Sequence, residues 1–287
     1  MIAAEAAAAL DGELAGARRV AGGDINDAWA VELADGRRAF VKSRTDAAPG
    51  EFATEAAGLR WLAAPPGGVP VPRVLAVTDA LLALEWLDSG TLDAAGEEAL
   101  GRGLACLHRA GASAFGAPPP EAPCAGLRLG AVELPAATGE RWAAFYAEHR
   151  LAPVARIAAE RGALDAAATR AVERVIDRID ALAGPDEPPA RLHGDLWSGN
   201  VLAGTDRRAR LIDPAAHGGH REIDLAMLAL FDTPSQRTLA AYDEIHPRAD
   251  GHAERVALYQ LFPLLVHAAL FDGGYGASAR AAAERAA

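Results

Sequence analysis

The sequence has little lysine, little cysteine and no long apolar run. It contains two cysteines, Cys106 and Cys124, which are too few for a disulfide framework and lack the spacing of metal ligands. The longest apolar stretch, residues 258–271, is interrupted by Gln260 and Pro263, so it is too short and too polar to span a bilayer. These shortages exclude a disulfide-stapled secreted module and a membrane-spanning chain, and they predict a reducing, cytoplasmic setting.

Basic side chains are also scarce relative to acidic ones. Among 287 residues, 39 are Asp or Glu and 28 are Lys or Arg, which gives a formal net charge of −11 at pH 7. Nucleic acids and anionic membranes need a basic surface, so neither partner is expected. The N-terminal stretch carries acidic residues where a secretory signal would carry positive charge, so we do not interpret it as a signal peptide.

One basic residue type is almost missing. Of the 28 basic side chains, 27 are arginine, and Lys42 is the one lysine. A lysine kept in this background suggests a site that needs a compact ammonium group, which a forked guanidinium cannot replace. Chance survival of one surface lysine is the alternative, and composition alone does not decide between them.

What is present divides the chain into two regions. An Ala-rich helix over residues 3–17 is followed by strand and helix patterns that predict a five-stranded antiparallel sheet with one inserted helix. The predicted strands cover 19–21, 28–33, 38–43, 73–77 and 81–86, and the inserted helix covers 51–63. Helical periodicity then dominates, over 99–109, 141–161, 164–182, 223–231, 235–242 and 253–271, with an irregular Pro/Gly-rich stretch over 115–138.

These elements predict an α+β, bilobal fold. The first lobe, residues 1–88, is expected to bind nucleotide, and the second, residues 89–287, is expected to be mainly helical and to carry the catalytic and substrate-binding groups.

The strongest local motif is His-Gly-Asp-Leu-Trp-Ser-Gly-Asn over residues 193–200. Asp195 and Asn200 are five positions apart, as are the aspartate and asparagine of the kinase catalytic loop. The apolar run that ends in Asp213 follows 18 positions after Asp195. An isolated His-Gly-Asp or Asp-Pro is an ordinary turn feature, but this order and spacing together favour phosphoryl transfer.

The chemistry of phosphoryl transfer accounts for these residue types. Carboxylate and amide oxygens, here from Asp213 and Asn200, are the ligands that Mg²⁺ prefers while it also binds phosphate. The transition state is loose, so Asp195 needs only to orient the acceptor hydroxyl and take its proton.

Lys42 ends the third predicted strand, within Ala-Phe-Val-Lys, where kinases place the lysine that meets the α- and β-phosphates. Glu55 follows 13 positions later, inside the predicted helix, and is expected to pair with Lys42. Glu51 competes for that pairing, although its place at the helix start also suits a capping or helix-dipole role.

Two further segments are weaker candidates for nucleotide contacts. The turn between the first two strands can bring backbone amides to phosphate through Gly22, Gly23, Asp24, Ile25 and Asn26, although hairpin turns use the same residues. The backbone of Glu85, Trp86 and Leu87, between the lobes, is expected to bind adenine, the alternative being a plain strand end.

Taken together, the motifs resemble the fructosamine kinase family (ketosamine-3-kinases), in the aminoglycoside-phosphotransferase-like branch of the protein-kinase-like fold. The resemblance covers nearly the whole chain, and it is carried by residues 21–26, 40–42, 52–59, 71–75, 104–108, 115–116, 193–200, 211–215, 221–227 and 258–265. It implies ATP- and Mg²⁺-dependent phosphorylation of a ketosamine sugar hydroxyl, typically at the 3-position, on ribulosamine or fructosamine adducts. Such a reaction labilises the adduct and has a deglycation role.

The resemblance also implies roles for individual residues. By motif, Asp195 is the base, Asn200 and Asp213 are metal ligands, Lys42 and Glu55 anchor phosphate, Asp224 steadies the catalytic loop, Trp197 forms part of a sugar-binding wall, and His193 is structural. Plain packing is the alternative for Trp197.

The chain departs from this family in two places, and other functions stay open. Many relatives have a cysteine in the glycine-rich turn, where this chain has Asp24 and Ile25, so a monomer is expected rather than a redox-linked dimer. Residues 129–135 follow a different pattern, which could change the acceptor. The alternatives are a phosphotransferase for another small alcohol (aminoglycoside-, choline- or homoserine-like) and a nucleotide-binding pseudokinase.

Overall fold

The computed structural model describes residues 2–20, 26–271 and 273–287. The four turn positions Gly22, Gly23, Asp24 and Ile25 therefore lie outside the described residues, whereas Asn26 is within them. In the described part of the chain, no helix combines the length and the hydropathy needed to cross a membrane.

The first part of the chain, here called the sheet region (residues 2–85), is built on one antiparallel sheet. Its five strands lie in the order β1-β2-β3-β5-β4. Their bounds are β1 Leu14–Arg19, β2 Asp27–Leu33, β3 Arg38–Ser43, β4 Val74–Val77 and β5 Leu81–Glu85, with helix α2 at Glu51–Ala63 between β3 and β4. The predicted sheet and inserted helix are confirmed.

The predicted start of the chain was partly wrong. The first helix, α1, covers only Ile2–Ala9, and β1 begins at Leu14 rather than at residue 19. Asp11 adopts a left-handed conformation with φ 50° and Gly12 N–H donates to the carbonyl of Ala7, a capping pattern that ends the helix. Alanine content favoured a longer helix, but this cap stops it.

The sheet buries both of its faces, and this decides where Lys42 points. Val41 packs towards the side of α1, whereas Phe40 packs on the side of α2. Because successive strand side chains alternate between faces, Lys42 lies with Phe40 on the α2 face.

The remainder, here called the helical region (residues 94–287), is mostly helical, as predicted. Its helices are α3 Ala94–Arg109, α4 Trp142–Tyr146, α5 Ala152–Glu160, α6 Ala166–Asp177, α7 Ile179–Leu182, α8 Glu222–Leu228, α9 Gln236–Ile245, α10 His252–Leu270 and α11 Tyr275–Ala286. The predicted helix 141–161 contains a π-helical turn at Ala147–Leu151, and α11 had no counterpart in the prediction. Apolar residues of α4, α6, α10 and α11 form the largest core.

Residues 115–138 were expected to be irregular, but this stretch, which we call the 115–139 loop because it closes at Gly139, contains a small hairpin. Its strands are β6 Leu127–Leu129 and β7 Val132–Leu134, turned at Gly130 with φ 58°. Phe115 and Gly139 exchange both backbone hydrogen bonds, so the loop leaves and returns at one point of the helical region.

Two further strand pairs carry the motif residues. Strand β8 (Ala190–Leu192) pairs with β11 (His217–Gly219), and β9 (Val201–Ala203) pairs with β10 (Ala209–Leu211). The segment after β5 meets this part through Gly90, whose N–H donates to Ala203. The lobe boundary at residue 88 remains a prediction.

Candidate active site

The catalytic-loop motif leaves β8 through a sharp turn that needs glycine. Gly194 has φ 84°, and a Cβ there would lie 2.1 Å from the carbonyl oxygen of Ala215. The buried carboxylate of Asp224 accepts the N–H groups of His193 at 2.7 Å and Gly194 at 2.9 Å. Asp224 therefore fixes the backbone of the two residues that precede Asp195.

Asp224 is itself held in place by a second layer. Nε2 of His108 lies 3.3 Å from its carboxylate, and Nδ1 of the same ring lies 2.8 Å from the hydroxyl of Tyr242. Burial alone would raise the pKa of Asp224, but the hydrogen bonds from His108 and Gly194 lower it. The group is therefore held as a carboxylate.

His193 lies in the interior and faces the backbone rather than the cleft. Its Nε2 is 2.9 Å from the carbonyl oxygen of Ile212, and burial lowers its pKa. A neutral imidazole donates this hydrogen bond, and the structural role of His193 stays a prediction.

Asp195 and Asn200 contact each other across the loop. The side-chain amide of Asn200 donates to the backbone carbonyl of Asp195 at 2.8 Å and to its carboxylate at 3.1 Å. Both amide protons are thereby used, so Oδ1 of Asn200 remains to accept or to bind a cation. Burial raises the pKa of Asp195 to about 6, Asn200 opposes that rise, and the nearby carboxylate of Asp213 adds to it.

Asp213 reaches the same place from β10. The N–H of Ile212 donates to the backbone carbonyl of Asn200 at 3.1 Å, which brings the two segments side by side. Asp213 has φ 56°, an uncommon conformation for a residue with a side chain.

Lys42 joins the two regions of the molecule. Its Nζ lies 2.9 Å from Glu55 of α2 and 2.9 Å from Asp213, and only 7% of the residue is exposed. Burial alone would lower the pKa of Lys42, but the two carboxylates outweigh it and raise the pKa. The one lysine of the chain is thus a charged, buried ammonium shared by two carboxylates.

Glu51 has a different partner from Glu55. Its carboxylate lies 2.5 Å from Nη2 of Arg44 and accepts the N–H of Ala48 at 3.2 Å. Arg44 also donates to the side chain of Asn26 at 3.3 Å, which links the residue after β3 to the residue before β2.

These groups line an open cleft of about 1380 Å³ between the two regions. Trp197 stands on its wall, and a Cβ on Gly199 would lie 2.2 Å from the Trp197 ring, so glycine makes room for the indole. The cleft brings together Lys42, Glu55, Asn26, Asp195, Trp197, Asn200 and Asp213.

Glu85, Trp86 and Leu87 do not line this cleft. The N–H of Glu85 donates to Arg73 within the sheet, and Nε1 of Trp86 donates to Asp88 at 2.9 Å. Within the described residues, no backbone hydrogen bond of Trp86 or Leu87 is formed, so their predicted use towards adenine stays a prediction.

Several lining residues had not been singled out from the sequence. They are Arg44, Arg128, Phe231, His267, Phe271 and Tyr275. The aromatic members lie in or beside helical segments, where periodicity assigns them to a core, and composition contains no signal that separates them from core residues.

The oxygen atoms at the cleft suit a hard divalent cation that also binds phosphate and water. Asn200 and Asp213 contribute an amide and a carboxylate oxygen, the donor types that Mg²⁺ prefers. Among the described residues, no group of three or more His, Cys, Asp or Glu is placed to hold a metal ion unaided. The donor set therefore fits Mg²⁺ that arrives with a phosphate ligand.

The fold places the molecule in a class. A macrolide 2′-phosphotransferase of Brachybacterium faecium superposes with a TM-score of 0.62 over 97% of this chain and 95% of that chain, at 20% identity. At that identity the likeness shows the fold alone, which is the predicted fold of protein-kinase-like phosphotransferases.

Closer relatives define the family. A solved structure from Thermobifida fusca, named as a candidate fructosamine-3-kinase, is 44% identical with a TM-score of 0.90 and covers 99% of this chain and 98% of that one. A probable ketoamine kinase of Thermus thermophilus is 36% identical over 257 residues, 88% of this chain and 87% of its own length. The fructosamine kinase model matches residues 2–286. The chain belongs to the fructosamine kinase family.

Proposed function

We propose that the protein transfers the γ-phosphoryl group of ATP to a sugar hydroxyl of a ketoamine. The acceptor atom is the 3-hydroxyl of a fructosamine or ribulosamine adduct, and the reaction serves deglycation. One observation carries the proposal: a single cleft holds Lys42 between Glu55 and Asp213 and also presents Asp195 and Trp197.

The donor half of the site is built from charge. Lys42 keeps its ammonium group in a fixed place because Glu55 holds it at 2.9 Å, and a point charge there suits the α- and β-phosphates. Asn200 and Asp213 would hold Mg²⁺, which when bound neutralises phosphate charge.

Proton transfer falls to Asp195. Its carboxylate accepts a hydrogen bond from the acceptor hydroxyl and takes the proton as the oxygen–phosphorus bond forms and the bond to the leaving ADP oxygen breaks. Asp224 and Asn200 position it, through the backbone of Gly194 and through the amide at 3.1 Å.

The acceptor half of the site suits a ketoamine. The secondary amine of a ketoamine is cationic at neutral pH. The carboxylates that line the cleft near Asp195 can attract this positive charge. The half-exposed indole of Trp197 offers a flat face for the apolar side of a sugar or for the ammonium group.

The rest of the nucleotide site is also part of the proposal. We assign the triphosphate to the turn at Gly22–Asn26 and the adenine to the backbone of Glu85–Leu87, at a lobe boundary near residue 88. The hydrogen bond from Arg44 to Asn26 supports the first assignment, because it links the turn to the strand that carries Lys42.

We also propose a cytoplasmic, monomeric enzyme. Both Cys106 and Cys124 are free thiols, in keeping with a chain that needs no disulfide. A complete set of Lys42, Glu55, Asp195, Asn200 and Asp213 favours a working kinase over a pseudokinase.

Product analysis tests the function. The protein is incubated with ATP, Mg²⁺ and, in separate reactions, fructosamine and ribulosamine adducts, choline, homoserine and an aminoglycoside, and NMR locates the phosphate. We expect phosphate on the 3-hydroxyl of a ketoamine, and no product from a matched sample of the Asp195→Asn variant. Turnover only with a plain amino alcohol or an aminoglycoside would reject the ketoamine assignment.

A further inference from the structure

A run of aromatic rings extends the cleft beyond the catalytic loop. The ring of Phe231 meets Trp197 edge-on at 5.9 Å and His267 at 5.2 Å between centroids. His267 in turn lies 5.7 Å from Phe271 and 5.2 Å from Tyr275. These five residues, here called the aromatic array, are in contact one after another and all line the cleft.

The array is unusually open for its composition. In the part of the chain that the structure describes, five large apolar side chains are exposed, and three of them are Trp197 at 37%, Phe231 at 44% and Phe271 at 38%. Core rings would be covered, and scattered exposed rings would not meet in one cleft. A contiguous exposed apolar surface next to a reactive carboxylate is what a ligand-binding wall requires.

Charge is absent from this end of the cleft within the described residues. The charged lining residues are Lys42, Arg44, Glu51, Glu55, Arg128, Glu133, Asp195 and Asp213, whereas the described lining from Phe231 and α10 to Tyr275 has no Asp, Glu, Lys or Arg, and its polar side chains are His267 and Tyr275. Nδ1 of His267 donates to the carbonyl of Pro263 at 2.7 Å, and burial lowers the pKa of this imidazole. His267 is therefore neutral, and it adds a ring rather than a charge.

The array begins two positions after Asp195, so its position relative to the acceptor can be derived. With the sugar hydroxyl and the ammonium group near the carboxylates around Asp195, and the sugar beside Trp197, the substituent on the amine points along the array. We infer that the aromatic array binds the amine-side substituent of the ketoamine, and that it selects aromatic or branched apolar substituents over charged ones. This inference rests on the proposed function.

The test compares two acceptors that differ by one charge. They are the fructosamine adducts of benzylamine and of 4-(aminomethyl)benzoate, measured as kcat/KM with saturating ATP. We expect the benzylamine adduct to be preferred by about tenfold or more, because the array has no lysine or arginine to pair with the carboxylate. A third acceptor, an adduct on the lysine ε-amine of a short peptide, separates small amines from protein-linked ones and is expected to be the weaker substrate.

Variants tie the preference to the array. Phe231→Ala should lower kcat/KM for the benzylamine adduct about tenfold, mainly through KM, should reduce its preference over the charged adduct, and should leave the KM for ATP within about twofold. Phe271→Ala should also lower the ratio of kcat/KM for the benzylamine adduct to kcat/KM for the charged adduct. Agreement between the two variants excludes a folding defect in one of them as the cause. Leu75→Ala, an equally exposed apolar side chain of β4 outside the cleft, is the control.

The outcomes separate the two levels of the proposal. Equal kcat/KM for the two benzyl adducts, a preference for the peptide adduct, or a preference unchanged by both array variants would overturn the inference and leave the ketoamine kinase assignment intact. Failure to phosphorylate any ketoamine, with turnover of another alcohol, would overturn the proposed function itself.

Discussion

Two clusters of buried charge in this molecule are built on different plans. In the helical region, Arg255 binds Glu222 through two hydrogen bonds of 2.9 and 2.6 Å, and Arg221 binds Glu187 through two of 2.7 and 2.6 Å. We call these four residues the matched cluster. In the cleft, the ammonium of Lys42 is shared by Glu55 and Asp213, with Asp195 close by, and we call these four residues the open cluster.

The difference lies in charge balance and in the choice of cation. The matched cluster has two guanidinium groups for two carboxylates, and each fork satisfies both oxygens of its partner. The open cluster has one ammonium for three carboxylates. Its excess negative charge favours binding of a cation. Arginine suits the matched cluster and lysine suits the open cluster. The only lysine in the chain is found in the open cluster.

The largest expected effect follows from removing the base of the open cluster. Asp195→Asn keeps shape and hydrogen bonding but cannot take a proton, so kcat should fall by about 10³-fold. The dissociation constant for ATP, measured by calorimetry, should change less than threefold. Asp206→Asn, in an exposed ion pair with Arg210, is the control and should keep full activity. Unchanged turnover in Asp195→Asn would remove Asp195 from its assigned step.

A change in the matched cluster should act on stability instead. Glu222→Gln leaves Arg255 buried without its partner charge and should lower the free energy of unfolding by about 3 kcal/mol at pH 7. Urea unfolding measures this, with Glu284→Gln, in an exposed pair with Arg280, as the control. A loss no greater than that of the control would show that the matched cluster contributes nothing measurable.

The pH dependence of that stability has a defined sign. Burial would raise the pKa of Glu222, but the nearby His252, 3.5 Å away, and the hydrogen bonds from Arg255 lower it to about 2, from an unfolded value of 4.5. The stabilisation is therefore complete above the unfolded pKa and is lost as pH falls from about 4.5 through 2. The loss is on the order of 3 kcal/mol, and it should be absent from Glu222→Gln when unfolding curves are compared across this window.

Lys42→Arg tests whether the open cluster needs a point charge. Charge is kept, but the planar fork cannot occupy the same place between Glu55 and Asp213, and the phosphates should be displaced. We expect kcat/KM for ATP to fall by about 10²-fold while the thermal midpoint changes little. Activity like that of the unchanged protein would show that the scarcity of lysine has no bearing on the site.

The open cluster was largely predictable from the sequence, for a physical reason. Asp195 and Asn200 lie on one short loop, so their spacing alone brings them into contact. Glu55 lies one strand-to-helix connection from Lys42, and strand alternation places both on the same face. Local geometry of this kind is encoded within a few residues.

The aromatic array and the small hairpin were not predictable in the same way. Phe231, His267 and Tyr275 come from separate segments, and their meeting depends on how α10 packs against its neighbours. A helical period that marks a core looks the same as one that marks a cleft wall. The hairpin at Leu127–Leu134 has strands of only three residues each, too short for an alternation pattern to register.

The smallest expected effect concerns what joins the two halves of the open cluster. The hydroxyl of Thr54, next to Glu55, donates to the carbonyl of Gly50 at 2.9 Å and accepts the N–H of Cys124 from the 115–139 loop at 3.2 Å. Thr54→Ala removes this link between α2 and the helical region, which should cost about 1 kcal/mol of stability and raise the KM for ATP two- to threefold.

Thr169→Ala is a matched control, because Thr169 makes the same local bond to the carbonyl of Asp165 at 3.0 Å but does not line the cleft. If Thr54→Ala raises the KM for ATP by more than its loss of stability accounts for, the geometry of the open cluster depends on how α2 packs against the helical region. Equal effects of the two variants would mean that Lys42, Glu55 and Asp213 hold their own geometry, as the matched cluster does within its single region.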